Sequence, residues 1–380
     1  MKIAFVYDAV YPHVKGGAEY RLYETGKRLA EKGHTIHWYG IKWWLGEDTV
    51  EHDGIILHGV CPPMNLYKKS GRRSIKEAIM FSTKLAPALS EGDYDLIECQ
   101  NFPYFPCFTC KIISILKKKP LVITWHEVWR HRWKEYLGFF GVFGEIIEQI
   151  CAKLTKNNLT VSETTKKRLI NAGTKENNIT IIPNGINPES IKKTDPSEPA
   201  FDILYAGRLI KEKNVDLLVK SIAEAAKKRP NISVGIIGEG SEKEKLMDLS
   251  KKLGIEKNLT FIGFQENKEK IYSHMKSSKI FISLSQREGF GITVLEALAC
   301  GTPAITIRHE TNAAAELIQD GVNGYVTQPD EKEISGKITE LLGDEEKHKK
   351  MSQAAAESAQ KYSWEKTTDE IEKYYLGLIK

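Results

Sequence analysis

Nowhere in the 380 residues is there an uninterrupted apolar run long enough to span a bilayer, which argues against an integral membrane helix. The opening "MKIAFVYDAVYP" carries Asp8 within its short apolar stretch and has no small-residue cleavage site, so a secretory leader is not expected. Cysteine is sparse, six in all, with no spacing of a disulfide scaffold. Its one suggestive pattern, Cys107-Phe-Thr-Cys110, lacks the second pair that a zinc site requires and reads as buried thiols, so no metal is expected. Charge of one sign is also missing. A net charge of +5 and a pI near 8.6 are too mild to imply a nucleic-acid partner. These absences describe a protein of a reducing cytoplasm.

Two nucleotide-binding signatures are absent as well. No GxxxxGK followed by Ser or Thr occurs, which removes P-loop phosphoryl transfer. In "GIIGEGSEK", Gly238 and Gly240 are present but Lys243 stands where a dinucleotide fingerprint needs its third glycine, which disfavours a nicotinamide enzyme. Asp93-Tyr-Asp95 has the form of a cation-binding acidic pair, yet "GDYDLIECQ" reads as a turn into a strand, where Asp supplies turn hydrogen bonds.

What is present is an ordinary globular composition, 41% hydrophobic and 28% charged, of a length that suits two domains. "KIAFVY" is a strand buried on both faces. The loop "PHVKGG", a helical pattern from Ala18 to Lys32 ended by Gly33, and the strand "HTIHWYG" then complete a βαβ unit. The alternation continues through "GIILHGV", "DLIECQ", "PLVITWH", "NLTVSE" and "ITIIPNG", with helices near 74–90, 104–117 and 143–155. "INPESIKKTDPSEPAFD", 186–202, is polar with three prolines and reads as a linker. A second series follows: "ILYAGR", "ISVGIIG", "LTFIGF", "IFISLS", "PAITI" and "GYVT", with intervening helices that include one around Glu316. The fold class is therefore α/β, two Rossmann-like, doubly wound parallel sheets, each expected to bind ligands at its strands' carboxyl ends.

The most informative stretch is "REGFGITVLEALACGTP", 287–303. Glu288 stands at a strand's carboxyl end, and Gly289 and Gly291 let the backbone approach a ligand closely. Glu296 lies about one and a half turns into the next helix, where it faces the same side. Two carboxylates with amides between them suit a polyol, because each carboxylate accepts from adjacent hydroxyls. In "YAGRLIKEK", Arg208 and Lys213 follow a strand end and can reach an anionic group there.

Together with the Gly16-Gly17-Ala18-Glu19 loop, "GH" at 33–34, His126, "IIPNGI" at 181–186, "GVNGYV" at 321–326 and "YSWE" at 362–365, this order resembles the GT-B retaining glycosyltransferases of family 4, the glycosyl transferases group 1. The resemblance covers nearly the whole chain. It implies an acceptor-binding domain over 1–194, a nucleotide-sugar-binding domain over 195–361 and a terminal helix, 362–380, crossing back to the first domain. It further implies a catalytic set of His126, Arg208, Lys213 and Glu288. Arg208 and Lys213 would hold the donor diphosphate and Glu296 the ribose. Glu288, Gly289, Phe290 and Gly291 would hold the sugar, and Gly16 and Gly17 would approach the phosphates. No cofactor is implied; a UDP- or GDP-type sugar is a substrate. The resemblance also implies front-face, metal-independent transfer in which the leaving phosphate takes the acceptor's proton; a double displacement would want a carboxylate nucleophile, a role to which the pattern assigns no acid.

One departure concerns the donor sugar: "IRHETNAAAELI" is two residues longer than the family form and lacks its Gly-Gly, although Glu316 keeps its place. Basic runs at 67–73, 116–120 and 129–134 read either as solvated faces or as a surface for anionic headgroups. The segment 125–150 mixes Trp, Arg and Phe, and is either a membrane-facing helix suited to a lipid-linked acceptor or aromatic packing beneath a loop. A glycan acceptor is equally compatible, as is peripheral attachment to an anionic membrane's inner face. A nucleotide-sugar epimerase and a catalytically silent nucleotide-sugar-binding protein remain the alternative readings.

Overall fold

The computed structural model describes residues 1–64 and 73–379, so all of the basic run 67–73 except Arg73 lies outside the described residues. The chain divides into two compact units, one formed by Met1–Gly185 with Trp364–Lys380 and the other by Ile186–Ser363. The division thus falls nine residues ahead of the expected 194/195 break, and again at 363/364 rather than 361/362. The cause is that part of the supposed linker is folded. Pro188–Lys193 forms a helix whose N-terminus Asn187 caps through the Ser190 amide, 3.1 Å. Lys276 then donates to the Thr194 carbonyl at 2.7 Å, and Ser190 to Glu269 at 3.3 Å, tying the segment to the second unit.

In the first unit, β1 (Lys2–Val6), α1 (Gly17–Glu31), β2 (Thr35–Ile41), β3 (Thr49–His52), β4 (Ile55–Cys61), α2 (Ile75–Glu91), β5 (Leu96–Gln100), α3 (Phe105–Lys117), β6 (Leu121–Trp125), α4 (Arg132–Leu137), α5 (Gly141–Cys151), β7 (Asn157–Thr160), α6 (Glu163–Asn171) and β8 (Ile179–Ile181) follow in order. The sheet runs β3-β4-β2-β1-β5-β6-β7-β8, parallel except for β3. That edge strand escapes the reading by apolar runs because Thr49–His52 is short and half polar. Its signal is Asp53-Gly54, both at positive φ (49° and 77°), the turn that closes a two-residue hairpin. β1 and β5 are central, each fully buried along its length apart from Lys2, as strands covered by helices on both faces must be.

The second unit begins with the helix just described, α7 (Pro188–Lys193), and continues with β9 (Ile203–Ala206), α8 (Val215–Ala226), β10 (Val234–Ile237), α9 (Lys243–Lys252), β11 (Leu259–Gly263), α10 (Lys268–Ser277), β12 (Ile280–Ser283), α11 (Ile292–Ala299), β13 (Ala304–Ile307), β14 (Gly324–Thr327), α12 (Glu331–Gly343) and α13 (Glu345–Ala359). Its six parallel strands run β11-β10-β9-β12-β13-β14. The expected helix around Glu316 is only a short 3-10 stretch, Ala313–Leu317, capped by Asn312. The sheet winds one way from β9 to β11 and the other way from β12 to β14, so its switch point lies between β9 and β12.

The last helix, α14 (Trp364–Ile379), packs on the first unit. Ile371 and Tyr375 enter the core, and Lys32 pairs with Asp369 and Glu372 at 2.6 Å each.

Candidate active site

The sequence-derived candidates fall on both units. Arg208, Lys213 and the 288–296 cluster lie at the carboxyl edge of the second sheet. Gly16, Gly17 and His126 follow β1 and β6 of the first.

In the second unit, the loops after β9 and β12 flank the switch point. Lys213 closes a 3-10 turn after β9, and its Nζ donates to Glu288 Oε1 at 2.5 Å, both side chains mostly buried. Gln286 N donates to the Glu212 carbonyl at 3.1 Å, which holds the two loops in register. Arg208 on the same loop is exposed, and no ion pair engages its guanidinium among the described residues. The β9 loop is carried by close backbone contact. Gly238, at φ 137°, lies so near Gly207 that an added Cβ would come within 1.9 Å of its carbonyl oxygen. Leu209 N then donates to the Glu239 carbonyl, 2.9 Å, and Glu242 N to that of Leu209, 3.0 Å. The glycines of "GIIGEGSEK" therefore serve this crossing.

Glu288 is fixed through its backbone by the long departure loop. Its amide donates to the Thr311 carbonyl at 3.0 Å and its carbonyl accepts from Ala313 N at 2.9 Å. Asn312, buried, anchors that loop by donating to Thr306 Oγ1 and the Ile307 carbonyl, 3.1 and 2.8 Å. The Thr311-Asn312 pair thus holds this loop against Glu288. Gly291 stands at φ 90° as the N-cap of α11, and an added Cβ would meet Ala314 Cβ at 2.4 Å. Phe290 is buried, edge-on to Tyr362. Burial, and then the Glu288 charge, push the Tyr205 hydroxyl up beneath this site, and that hydroxyl donates to the Arg208 carbonyl at 3.0 Å.

Glu296 is buried in α11, where Lys268 Nζ and Tyr272 OH of α10 donate to its Oε1 at 2.8 and 3.2 Å. These two donors were missed from sequence. Their i,i+4 spacing puts both on one face of α10, but nothing in the sequence ties that face to Glu296.

In the first unit, Gly16 caps α1 in an extended conformation and Gly17 begins the helix, so the loop places its first amides at a helix N-terminus. His126 follows β6 directly. Its Nε2 lies 2.7 Å from Gln100 Oε1, and its amide donates to Asn101 Oδ1 at 3.2 Å. Burial, and then the Arg21 cation, push the imidazole down to about 3, so it is neutral at ordinary pH. The edge of the second sheet by itself offers carboxylate acceptors for hydroxyls and cations for phosphates. The cysteines of Cys107-Phe-Thr-Cys110 are buried on α3, with Cys107 Sγ 3.6 Å from Cys99 Sγ.

Residues 187–358 match the family described as "Glycosyl transferases group 1", and residues 15–190 match "Glycosyltransferase Family 4". The chain belongs to the group 1, family 4 glycosyltransferases. Among its relatives, an uncharacterized glycosyltransferase of Methanocaldococcus jannaschii is 25% identical, covering 99% of this chain and 98% of that one. The N-acetyl-alpha-D-glucosaminyl L-malate synthase of Bacillus anthracis is 26% identical over 97% of this chain and 96% of its own. The structure of Anabaena HepE in complex with UDP and glucose superposes with a TM-score of 0.77 at 19% identity, covering 100% of both chains. That of WaaG, a glycosyltransferase involved in lipopolysaccharide biosynthesis, gives 0.76 at 18%, covering 99% of this chain and 100% of the other. These likenesses establish the GT-B fold for this glycosyltransferase.

Proposed function

We propose that this glycosyltransferase takes its sugar from a UDP- or GDP-linked donor and transfers it, with retention and without a metal, to a glycan or lipid-linked acceptor in cell-envelope glycoconjugate synthesis. The observation that carries the reading is the Lys213–Glu288 contact across the switch point, with Arg208 beside it. Two cations at that edge supply the charge that a departing diphosphate needs, in a partly buried place where such help is strongest. Glu288 accepts from sugar hydroxyls, and the amides of Gly289 to Gly291 donate to sugar oxygens. Glu296, its rotamer fixed by Lys268 and Tyr272, accepts from the ribose diol. From the first unit, the Gly16-Gly17 amides serve the phosphates and His126 a sugar hydroxyl. Nothing here requires a carboxylate nucleophile: Glu288 is held by Lys213, and the leaving phosphate takes the acceptor's proton.

The acceptor side includes an anionic membrane surface. Phe139 is 86% exposed, and Phe140, Val142, Phe143, Ile146 and Ile150 continue the apolar face along α5. A helix apolar toward both core and solvent calls for a covering phase. Lys134, exposed on the adjoining α4, gives it a basic neighbour that matches acidic headgroups. No helix among the described residues is long and apolar enough to cross a membrane, so attachment would be peripheral, from the cytoplasmic side.

The test is transfer from UDP- and GDP-sugars without added metal, following nucleoside diphosphate release and the product's anomeric configuration. Lys213→Ala should lower kcat/KM by about 10- to 100-fold, the loss of a charged hydrogen bond to the leaving group. Product of inverted configuration, or a Lys213→Ala variant of full activity, would reject the reading.

A further inference from the structure

His126 ends a chain of hydrogen bonds, buried as far as Gln100, that begins on the central strand β5. Glu98 is buried in that strand and receives three donors. Thr124 Oγ1 and Gln100 Nε2 donate to its Oε1 at 2.6 and 3.0 Å, and Tyr375 of α14 donates to its Oε2. Glu98 and Gln100 are two apart on a strand, so both side chains leave the same face of the sheet, and Thr124 stands opposite Gln100 on β6. Burial pushes the Glu98 carboxyl up, and the donors and the Arg21 charge pull against it. Because Oε1 already takes two donors, it has no room for a proton of its own.

The orientation of Gln100 follows. Its amide nitrogen must face Glu98, so its carbonyl oxygen must face His126, 2.7 Å from Nε2. A carbonyl oxygen only accepts, so Nε2 must carry the proton. In a neutral imidazole the lone pair then resides on Nδ1, and nothing among the described residues donates to that atom.

We infer that Glu98 and Gln100 are positioning residues that lock His126 as the Nε2–H tautomer and so present Nδ1 as a hydrogen-bond acceptor. The step rests on the proposed reading in which His126 meets a sugar hydroxyl. Under it, the hydroxyl donates to Nδ1 and is selected over any group that can only accept, such as a phosphate oxygen. The wrong tautomer would present N–H there and lose both the contact and that selection. Tyr375 brings α14 into the same chain, so the terminal helix bears on the orientation of this histidine.

Nitrogen-15 NMR of the imidazoles, with His126 assigned by the signal lost in His126→Gln, reads the tautomer directly in the free protein. The wild type should show a single neutral Nε2–H form at pH 7. Gln100→Met, which removes the acceptor, should give a mixture of tautomers and lower kcat/KM for transfer by about three- to tenfold, the worth of one hydrogen bond. Glu98→Met, which frees Gln100 to flip, should do the same. Glu98→Gln, which keeps an amide oxygen in the Oε1 position, should restore the wild-type spectrum. An Nδ1–H or cationic His126 in the wild type overturns the inference even if no variant folds. A changed tautomer in Gln100→Met with unchanged transfer, while His126→Gln is impaired, overturns the positioning role. Full activity in His126→Gln would instead fault the sugar-contact reading, with the tautomer still decided by the spectrum.

Discussion

Gly238 and Lys213 bear on the same loop for different physical reasons. At φ 137° and with a backbone oxygen 1.9 Å from where a Cβ would stand, Gly238 has no room for any side chain. Backbone cannot yield as a flexible side chain can, so Gly238→Ala should both destabilise the second unit, by about 1–3 kcal/mol, and displace Arg208. Thermal unfolding and diphosphate affinity measured on the same variant check this, and an unchanged melting temperature would refute it. The sequence showed this glycine but not its use, because its partner, Gly207, is distant along the chain and meets it only through sheet pairing. Glu288, Glu296, Arg208 and Lys213 were legible because they repeat a known order. Lys268 and Tyr272 were not, since only the packing of α10 on α11 brings them to Glu296. The same holds for Gln100, whose meaning depends on β5 lying beside β6.

The α4–α5 pair shows how far an element can be read. Its sequence left two readings open; the structure shows aromatic packing for some residues and an exposed apolar face for others. Trp129 stacks on Phe102, Trp133 packs tilted against Trp129 and Tyr104, and Tyr136 meets Trp129 edge-on, all against the core. Buried Glu148 organises them, accepting from the amides of Trp129 and Arg130 at 2.7 Å each and from Tyr104 OH at 2.6 Å. Gly144 lets α5 press on the Trp133 ring, where a Cβ would meet it at 2.5 Å. With that side committed to the core, Phe139, Phe140 and Phe143 are left outside. Phe140→Ser with Phe143→Ser should therefore reduce cosedimentation with phosphatidylglycerol-containing vesicles by at least about tenfold, since each exposed Phe brings roughly 1.5–3 kcal/mol on burial. Secondary structure and far-UV circular dichroism should be retained. Vesicle binding equal to wild type, or wild-type binding to purely zwitterionic vesicles as strong as to anionic ones, would contradict the proposed anionic-membrane contact. The helix boundaries here were misjudged from sequence, near 143–155 rather than Gly141–Cys151, because α4 and its short 3-10 connection interrupt the apolar period.

At the scale of the whole molecule, alternation of apolar runs and helical patterns made both doubly wound sheets legible. It missed β3, which is too short and polar to show, and α12 and α13, which follow the last strand and were left unassigned. Burial of two histidines adds a pH dependence that composition could not reveal. His58 is pushed down to about 4, by burial and then by His37, and His126 to about 3. Both bind protons on unfolding below about 6.5, so their contribution to stability is complete above that pH and is lost as pH falls toward the folded values. Chemical unfolding followed from pH 7 to 5 should show this loss, with a shallower slope in His58→Asn; the same slope in both would rule out the assignment. The central claim concerns the donor site, and calorimetric titration of UDP and GDP into the protein without added metal tests it most directly. The account predicts that one of the two binds, and that Arg208→Ala and Glu296→Ala each weaken it by about tenfold or more, one charge-assisted contact apiece. Failure of both nucleotides to bind, or binding unaffected by either substitution, would contradict it.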